Sequence, residues 1–286
     1  MILVTGAAGK TGRAVIMALA ARGARVRALV RNVQHAAALE ALGAAEVSIG
    51  SFDDGHALAR AADAIAAIYH ICPNASRNEV GYARAVVAAA RSRGVGRFVY
   101  HSVLHPQIEA MPHHWEKMRV EEMLFASGLS VTVLQPTAYM ENILSLLRGV
   151  AEEGVLRVPY PVETRLSLVD LDDVAEAAAL ALATDDHAGA TYELVGTPPL
   201  SQAEVADAMS LALGREVRIE GEPIEAWEAR ARAGGMGEHE RRTLAAMFRY
   251  YAAHGLTGNP NVLRWLLGRA PNGLAQFFSR AAKRAG

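Results

Sequence analysis

Gly6, Gly9 and Gly12 stand three residues apart in "MILVTGAAGKTGRAV", directly after an apolar run and directly before residues at helical spacing. Glycine costs backbone entropy, so the chain must turn sharply there or lie close against another object. A strand, a glycine turn and a helix in that order make a dinucleotide-binding turn. Gly6 permits the turn, Gly9 lets a pyrophosphate approach the main chain, and Gly12 lets helix and strand pack closely. Ala7, Lys10 and Thr11 complete the cradle, where the helix start offers free N–H groups and a positive dipole end. It is not a P-loop, because position 4, where that motif needs its first glycine, is Val4. A glycine-rich structural turn is the plainer alternative.

Arg31 closes the second apolar run, "ALVRN". Folds that bind NAD place an acidic residue there for the ribose 2′-hydroxyl; an arginine suits a 2′-phosphate, so NADPH/NADP is the expected cofactor. Lys117 lies in a helix near the ends of strands four and five. There a cation holds the nicotinamide ribose and polarises an acceptor oxygen, unless it is an exposed lysine pairing with Glu121 one turn on. His113 titrates near neutrality when unperturbed and could donate a proton, or it is a structural contact; both readings stay open. His101 and His105 are four apart, but Pro106 and the strand context deny them a helical metal face, so no metal is expected.

These side chains need a frame. Short apolar runs alternate with amphipathic ones: strands at Ile2–Thr5, Arg25–Val30, Val47–Ile49, Ala64–Ile71, Arg97–His101 and Ser130–Leu134. Between them fall helices at Lys10–Arg22, Gln34–Leu42, Asp54–Ala61 (capped near Asp53), Glu79–Arg93 and His114–Ser127. Strict alternation with strands apolar at nearly every position predicts α/β architecture, a doubly wound parallel sheet covered on both faces. Ligands bind at the carboxyl ends of such strands, which makes Ile71, Cys72 and Pro73, and beyond the sixth strand Pro136, Tyr139 and Asn142, further candidates for cofactor contact, each of which could equally be packing. Phe52 is expected against the adenine.

After Pro136 the pattern loosens into a helix at Met140–Val150, loops and short extended pieces, a helix at Asp170–Ala183, and a strand at Ala190–Val195 that could rejoin the sheet. A helix with a capping box, Ser201 and Glu204, runs to Gly214, and Val217–Ile219 is a short strand. From Pro223 the chain is helical, broken at "RAGGMGEHE", "GLTGNPN" and "GRAPNG". The expected division is a nucleotide-binding core over 1–135, with 164–195 returning to the sheet, and a smaller, mostly helical lobe over 136–163 and 196–286. Tyr160, Trp227, Met236 and Phe248 could wall a pocket there, or belong to a core.

The 286 residues carry 29 Lys and Arg against 30 Asp and Glu, a net charge of −1. That balance attracts neither nucleic acid nor anionic membrane. The basic ending "RAAKRAG" reads as a solvated tail. The single cysteine, Cys72, excludes an internal disulfide framework and, in "IYHICPN", reads as a buried structural thiol. With no long apolar segment and no signal-peptide pattern, a cytoplasmic protein is expected, with a small-molecule substrate and a homodimer left open.

Four stretches resemble the NmrA-like branch of the atypical short-chain dehydrogenases/reductases: "LVTGAAGKTGRAV", "ALVRN", "HHWEKMRVEEMLFASGLSVTVLQPTAYMEN" and "VDLDDVAEAAALAL". The ending "LLGRAPNGLAQFF" looks like the family's closing helix. The resemblance implies a Rossmann fold, and either an NADPH-dependent quinone reductase or a non-catalytic NADP(H) sensor with a protein partner. The wider superfamily pairs a tyrosine acid with a lysine four residues on; here His113 stands in the tyrosine's place before Lys117. Ser102 matches an active-site serine, or is a plain strand-end serine. Ser51 and Gln135 stand where relatives often carry aspartate and arginine. The leading expectation is hydride transfer from NADPH to a small conjugated carbonyl, a quinone first of all. A sugar-nucleotide epimerase would want the missing tyrosine.

Overall fold

The structure, a computed structural model, describes residues 1–144, 150 and 152–285. In the first half the strands are β1 (Ile2–Val4), β2 (Val26–Val30), β3 (Glu46–Ile49), β4 (Ala67–His70), β5 (Arg97–His101) and β6 (Val131–Pro136). The helices between them are α1 (Lys10–Ala21), α2 (Ala36–Ala41), α3 (Gly55–Ala61), α4 (Glu79–Ser92) and α5 (Pro112–Phe125). A later strand, β10 (Thr191–Leu194), joins the same sheet, giving the order β10-β6-β5-β4-β1-β2-β3. Ile2 stands beside Val26 on one side and Ala67 on the other, both in parallel register. The strand order reverses beside β1, so the ends of β1 and β4 are the topological switch point where such sheets take ligands.

Burial explains the strands and helices alike. Val4, Val26, Ala28, Ile68, Tyr69, Phe98 and Val99 are all sealed, as strands covered on both faces require. In α1 the buried residues Gly12, Val15, Ile16 and Leu19 recur at helical spacing. Burying such side chains is worth roughly 1.5–3 kcal/mol each, which outweighs the ~1 kcal/mol that a glycine costs inside a helix.

Boundaries move where a local interaction decides them. The cap of α3 is Asp54, not Asp53: the Asp54 carboxylate accepts from the Ala57 amide at 2.9 Å. α5 starts at Pro112, ahead of the expected His114, because proline at a first helical position gives up an N–H that has no partner there. His113 therefore lies inside the first turn. The segment expected as one helix over Gln34–Leu42 splits into a 3-10 turn, Val33–His35, and α2; Asn32 caps the turn by accepting from the Gln34 amide.

The chain clusters into two compact units. One holds Met1–Gln107, His113–Gln135 and Val174–Tyr192; the other holds Ile108–Pro112, Pro136–Asp173 and Glu193–Gly286. In the second, β7 (Ala138–Tyr139) pairs with β9 (Leu168–Val169), and β8 (Val155–Val158) with β11 (Arg218–Gly221), both in parallel register. Residues 164–173, expected with the sheet, cluster with this unit. Of the helix expected over Met140–Val150, α6 is Glu141–Leu144, and 145–149 lie outside the described residues. The helix Gln202–Leu213 carries the full capping box of Ser201 and Glu204 and ends at Gly214 with φ +65°.

The ending is not a free tail at its start. Arg280 is bonded to the buried carboxylate of Asp170. Asp173, one turn on, accepts from Arg269 Nη2 at 2.7 Å and from the Asn272 amide at 2.6 Å. The side chains of Lys283 and Arg284 lie outside the described residues.

Candidate functional site

The glycine turn joins β1 to α1 with a separate reason for each glycine. Gly6 has φ +59°, and a Cβ on it would stand 2.7 Å from Ile71 Cγ2 and 2.8 Å from Ile71 O. A Cβ on Gly12 would stand 2.4 Å from Gly6 O and 2.8 Å from Ala7 Cα. At Gly9 the nearest atom would be Gly6 O at 3.3 Å, with no other within 4 Å, so this residue's outer side is open. Gly9 is also the N-cap of a 12-residue helix and supplies no side-chain cap. An uncapped helix start beside an open backbone position fits a diphosphate. Arg13 Nε donates to Ala8 O at 3.0 Å and braces the turn, while Lys10 is exposed and Thr11 buried.

Thr5 pins this turn to the end of β4. Its hydroxyl oxygen accepts the Ile71 amide at 3.1 Å and lies 2.9 Å from His70 Nδ1. Arg31 follows the last residue of β2 and is exposed. Phe52 is half-buried, its ring 5.5 Å from His70 and 5.2 Å from Tyr82. Beyond β4, Ile71 is half-buried, Pro73 is exposed and Cys72 is buried. Burial pushes the Cys72 thiol far up, and the Glu79 charge adds to it, so the thiol is inert at neutral pH.

Lys117 is not an exposed lysine, and its partner is not Glu121. It is 8% exposed, donates to Glu79 Oε1 at 2.9 Å and to His101 O at 3.2 Å, and sits 5.3 Å from the centre of the Tyr100 ring. Tyr100 donates to the same Glu79 oxygen at 3.0 Å. Burial works against ionising Glu79, but the charge and hydrogen bond of Lys117 outweigh it and hold the carboxyl below its usual range. Glu121 belongs to a second cluster: the Ser102 hydroxyl donates to its Oε1, and Gln135 Nε2 lies 3.0 Å from each carboxylate oxygen. Burial raises the Glu121 carboxyl against the pull of those two donors. The Ser102 hydroxyl is thus held on a carboxyl group.

His113 is half-buried, packs edge-on against His114 with ring centres 4.6 Å apart, and has a buried Nδ1 with no hydrogen-bond partner among the described residues. Burial first, then His114 and Lys117, lower it to about 3. Burial lowers His114 to about 4, although its Nδ1 lies 3.3 Å from His105 O. Burial thus favours the neutral form of both rings, which works against the acid reading of His113. His105 itself takes φ +54°, in the left-handed region. Among the described residues no three of the His, Cys, Asp and Glu side chains form a group that could hold a metal ion.

The remaining candidates lie in the second unit. Pro136 ends β6, Tyr139 pairs with Val169 in β7, and Asn142 is exposed in α6. Tyr160, Trp227 and Phe248 form one aromatic cluster, with Trp227 4.9 Å and Tyr160 5.9 Å from Phe248, centre to centre. Tyr251, which sequence reasoning passed over, joins it at 6.1 Å from Tyr160. Met236 sits in the turn between the helices Ile224–Ala233 and Glu238–His254.

Sequence reasoning also missed Glu79 and Glu121 as partners of the site. Glu79 had one local signal, an acidic residue opening the helix after β4. Helical spacing offers Glu121 only as a partner for Lys117.

A seven-stranded, doubly wound sheet with a glycine turn after its first strand defines the dinucleotide-binding class. The chain belongs to the NmrA-like family, whose profile matches residues 1–279. It is 30% identical over 245 residues to the NAD(P)H azoreductase of Xenophilus azovorans, covering 84% of this chain and 82% of that protein. It is 27% identical to quinone oxidoreductase 2 of Escherichia coli over 281 residues, 98% of both chains. The crystal structure of the Escherichia coli NADPH-dependent quinone oxidoreductase complexed with NADPH superposes with a TM-score of 0.86, at 27% identity, covering 99% of this chain and 100% of that one. NmrA, a negative transcriptional regulator, shares the fold at TM-score 0.82 and 18% identity, covering 99% and 97%.

Proposed function

We propose that this chain is an NADPH-dependent reductase that transfers hydride to a small conjugated carbonyl, a quinone above all. The observation that carries the reading is the turn at Gly6, Gly9 and Gly12, open at Gly9 and followed by an uncapped helix start. That turn holds the cofactor diphosphate on main-chain N–H groups, with Ala7, Lys10 and Thr11 around it. Arg31 holds the 2′-phosphate. Ile71, Cys72 and Pro73 follow the strand end at which the sheet takes its ligand, and Phe52 is the adenine contact. Lys117 holds the nicotinamide ribose, and Pro136, Tyr139 and Asn142 remain proposed contacts. When bound, the reduced nicotinamide supplies the hydride.

The chain's own residues orient and polarise. Lys117 is fixed by Glu79 and His101 O, so its charge stays in one place as negative charge grows on the acceptor. His113 contributes a neutral imidazole. The proteins named azoreductase and quinone oxidoreductase among the relatives favour a flat, electron-poor acceptor.

The test is absorbance at 340 nm with a panel of quinones. Oxidation of NADPH that depends on the quinone supports the assignment. Tight NADPH binding with no oxidation by any acceptor refutes it in favour of a cofactor sensor. The homodimer question is independent and is answered by sedimentation.

A further inference from the structure

We propose that Ser102 and Glu121 form a proton relay, in which Ser102 gives its hydroxyl proton to the reduced acceptor and Glu121, a positioning residue acting through Ser102, replaces it. The inference rests on the reductase reading above. A carbonyl that has taken hydride is left with an oxyanion, and some group must supply a proton.

The obvious donors are absent or committed. The superfamily's tyrosine position is His113, whose neutral ring packs on His114. Lys117 is held by Glu79 and by the His101 carbonyl. Ser102 follows the last residue of β5, among the strand ends where doubly wound sheets bind ligands. Its hydroxyl is bonded to Glu121 Oε1, donating when the carboxyl is ionised and accepting when the carboxyl holds the proton, and Gln135 approaches both carboxyl oxygens from β6 at 3.0 Å. All three are buried, at 2%, 4% and 8% exposure. No cation among the described residues forms an ion pair with Glu121. A buried carboxyl with amide and hydroxyl neighbours, no ion-pair partner among the described residues and only the more distant charge of Lys117 acting on it, is a place to keep a proton. The groups facing it are Ser102 and Tyr100 from the β5 segment, Gln135 from β6, and Lys117 one turn earlier on α5, which is ion-paired with Glu79 and whose charge pulls the Glu121 carboxyl down against burial.

The balance is simple. The acceptor gains hydride, two electrons and one proton's mass, from the nicotinamide. Its oxygen then forms an O–H bond with the Ser102 proton. The Ser102 Oγ–H bond breaks and reforms with the Glu121 carboxyl proton. Glu121 ends ionised, accepting from Ser102 and Gln135, and regains a proton from solvent before the next turnover.

The test compares two acceptors in the whole protein. A quinone needs a proton after hydride; a triarylmethyl cation dye becomes neutral on taking hydride and needs none. Glu121→Gln and Ser102→Ala are expected to lower kcat for the quinone about 100-fold or more, within the range of general acid catalysis. KM and NADPH affinity by calorimetry stay near wild type, and the rate with the cation dye is retained. In wild type, quinone kcat falls as pH rises through the Glu121 pKa, while the dye rate does not follow it. Infrared spectra of the apo protein should contain a protonated-carboxyl band that Glu121→Gln removes. An equal loss with both acceptors, no loss with either, or absence of that band overturns the relay while leaving the reductase intact. Absence of any wild-type turnover with NADPH bound overturns both.

Discussion

Lys117 Nζ lies 2.9 Å from Glu79 Oε1, and both side chains are almost wholly withdrawn from water. The pair links the first residue of α4 to the second turn of α5, with Tyr100 bonded to the same carboxylate. Removing one member leaves the other charge buried alone, which costs about 3–5 kcal/mol. Glu79→Ala should therefore unfold at markedly lower urea than wild type. Replacing both Lys117 and Glu79 by methionine should restore most of that loss. The Glu79 contribution is full above its unfolded pKa of 4.5 and disappears as pH falls through its lower folded value.

His70 and His101 add a second pH effect, of distinct origin. Burial, the first cause in each case, lowers them to about 4 and about 3. The unfolded chain takes up protons below about pH 6.5 that these rings refuse, so stability falls as pH drops across that window. Each ring contributes up to about 1.4 kcal/mol per pH unit. Thermal melts between pH 8 and pH 5 should show a plateau and then a decline that His101→Phe makes shallower.

Gly12→Ala should cost about 1–3 kcal/mol through overpacking, because its Cβ would press on Gly6 O and Ala7 Cα. It should also weaken NADPH binding in calorimetry by shifting the turn. Gly23→Ala is the control: Gly23 has φ +74° but nothing within 4 Å of an added Cβ. Its cost is about 1–2 kcal/mol of backbone strain, with nucleotide affinity unchanged.

Arg31→Ala should raise the NADPH dissociation constant by roughly 10- to 100-fold, the worth of a charge-assisted hydrogen bond, and leave NADH nearly untouched. Equal losses for both nucleotides in a titration would remove Arg31 from the 2′-phosphate.

Local chemistry was legible in the sequence, and distant pairing was not. The glycine spacing, the alternation of strands and helices and the Ser201–Glu204 box each lie within a few residues of the structure they specify. The ion pair of Lys117 reaches 38 residues back, past the i+4 neighbour that spacing favours. Glu121 turns instead toward Ser102 and Gln135, each supplied by a separate strand end, so nothing in its own helix announces the cluster. The histidines had the right type for acid chemistry, but their protonation depends on burial, which only the folded chain sets.

Cys72 has a practical consequence. The chain has a single thiol, and it is buried and held protonated. Maleimide reagents should leave the native protein essentially unlabelled, so a cysteine introduced at an exposed position such as Leu211 would carry a fluorophore or spin label alone, without first deleting the natural one.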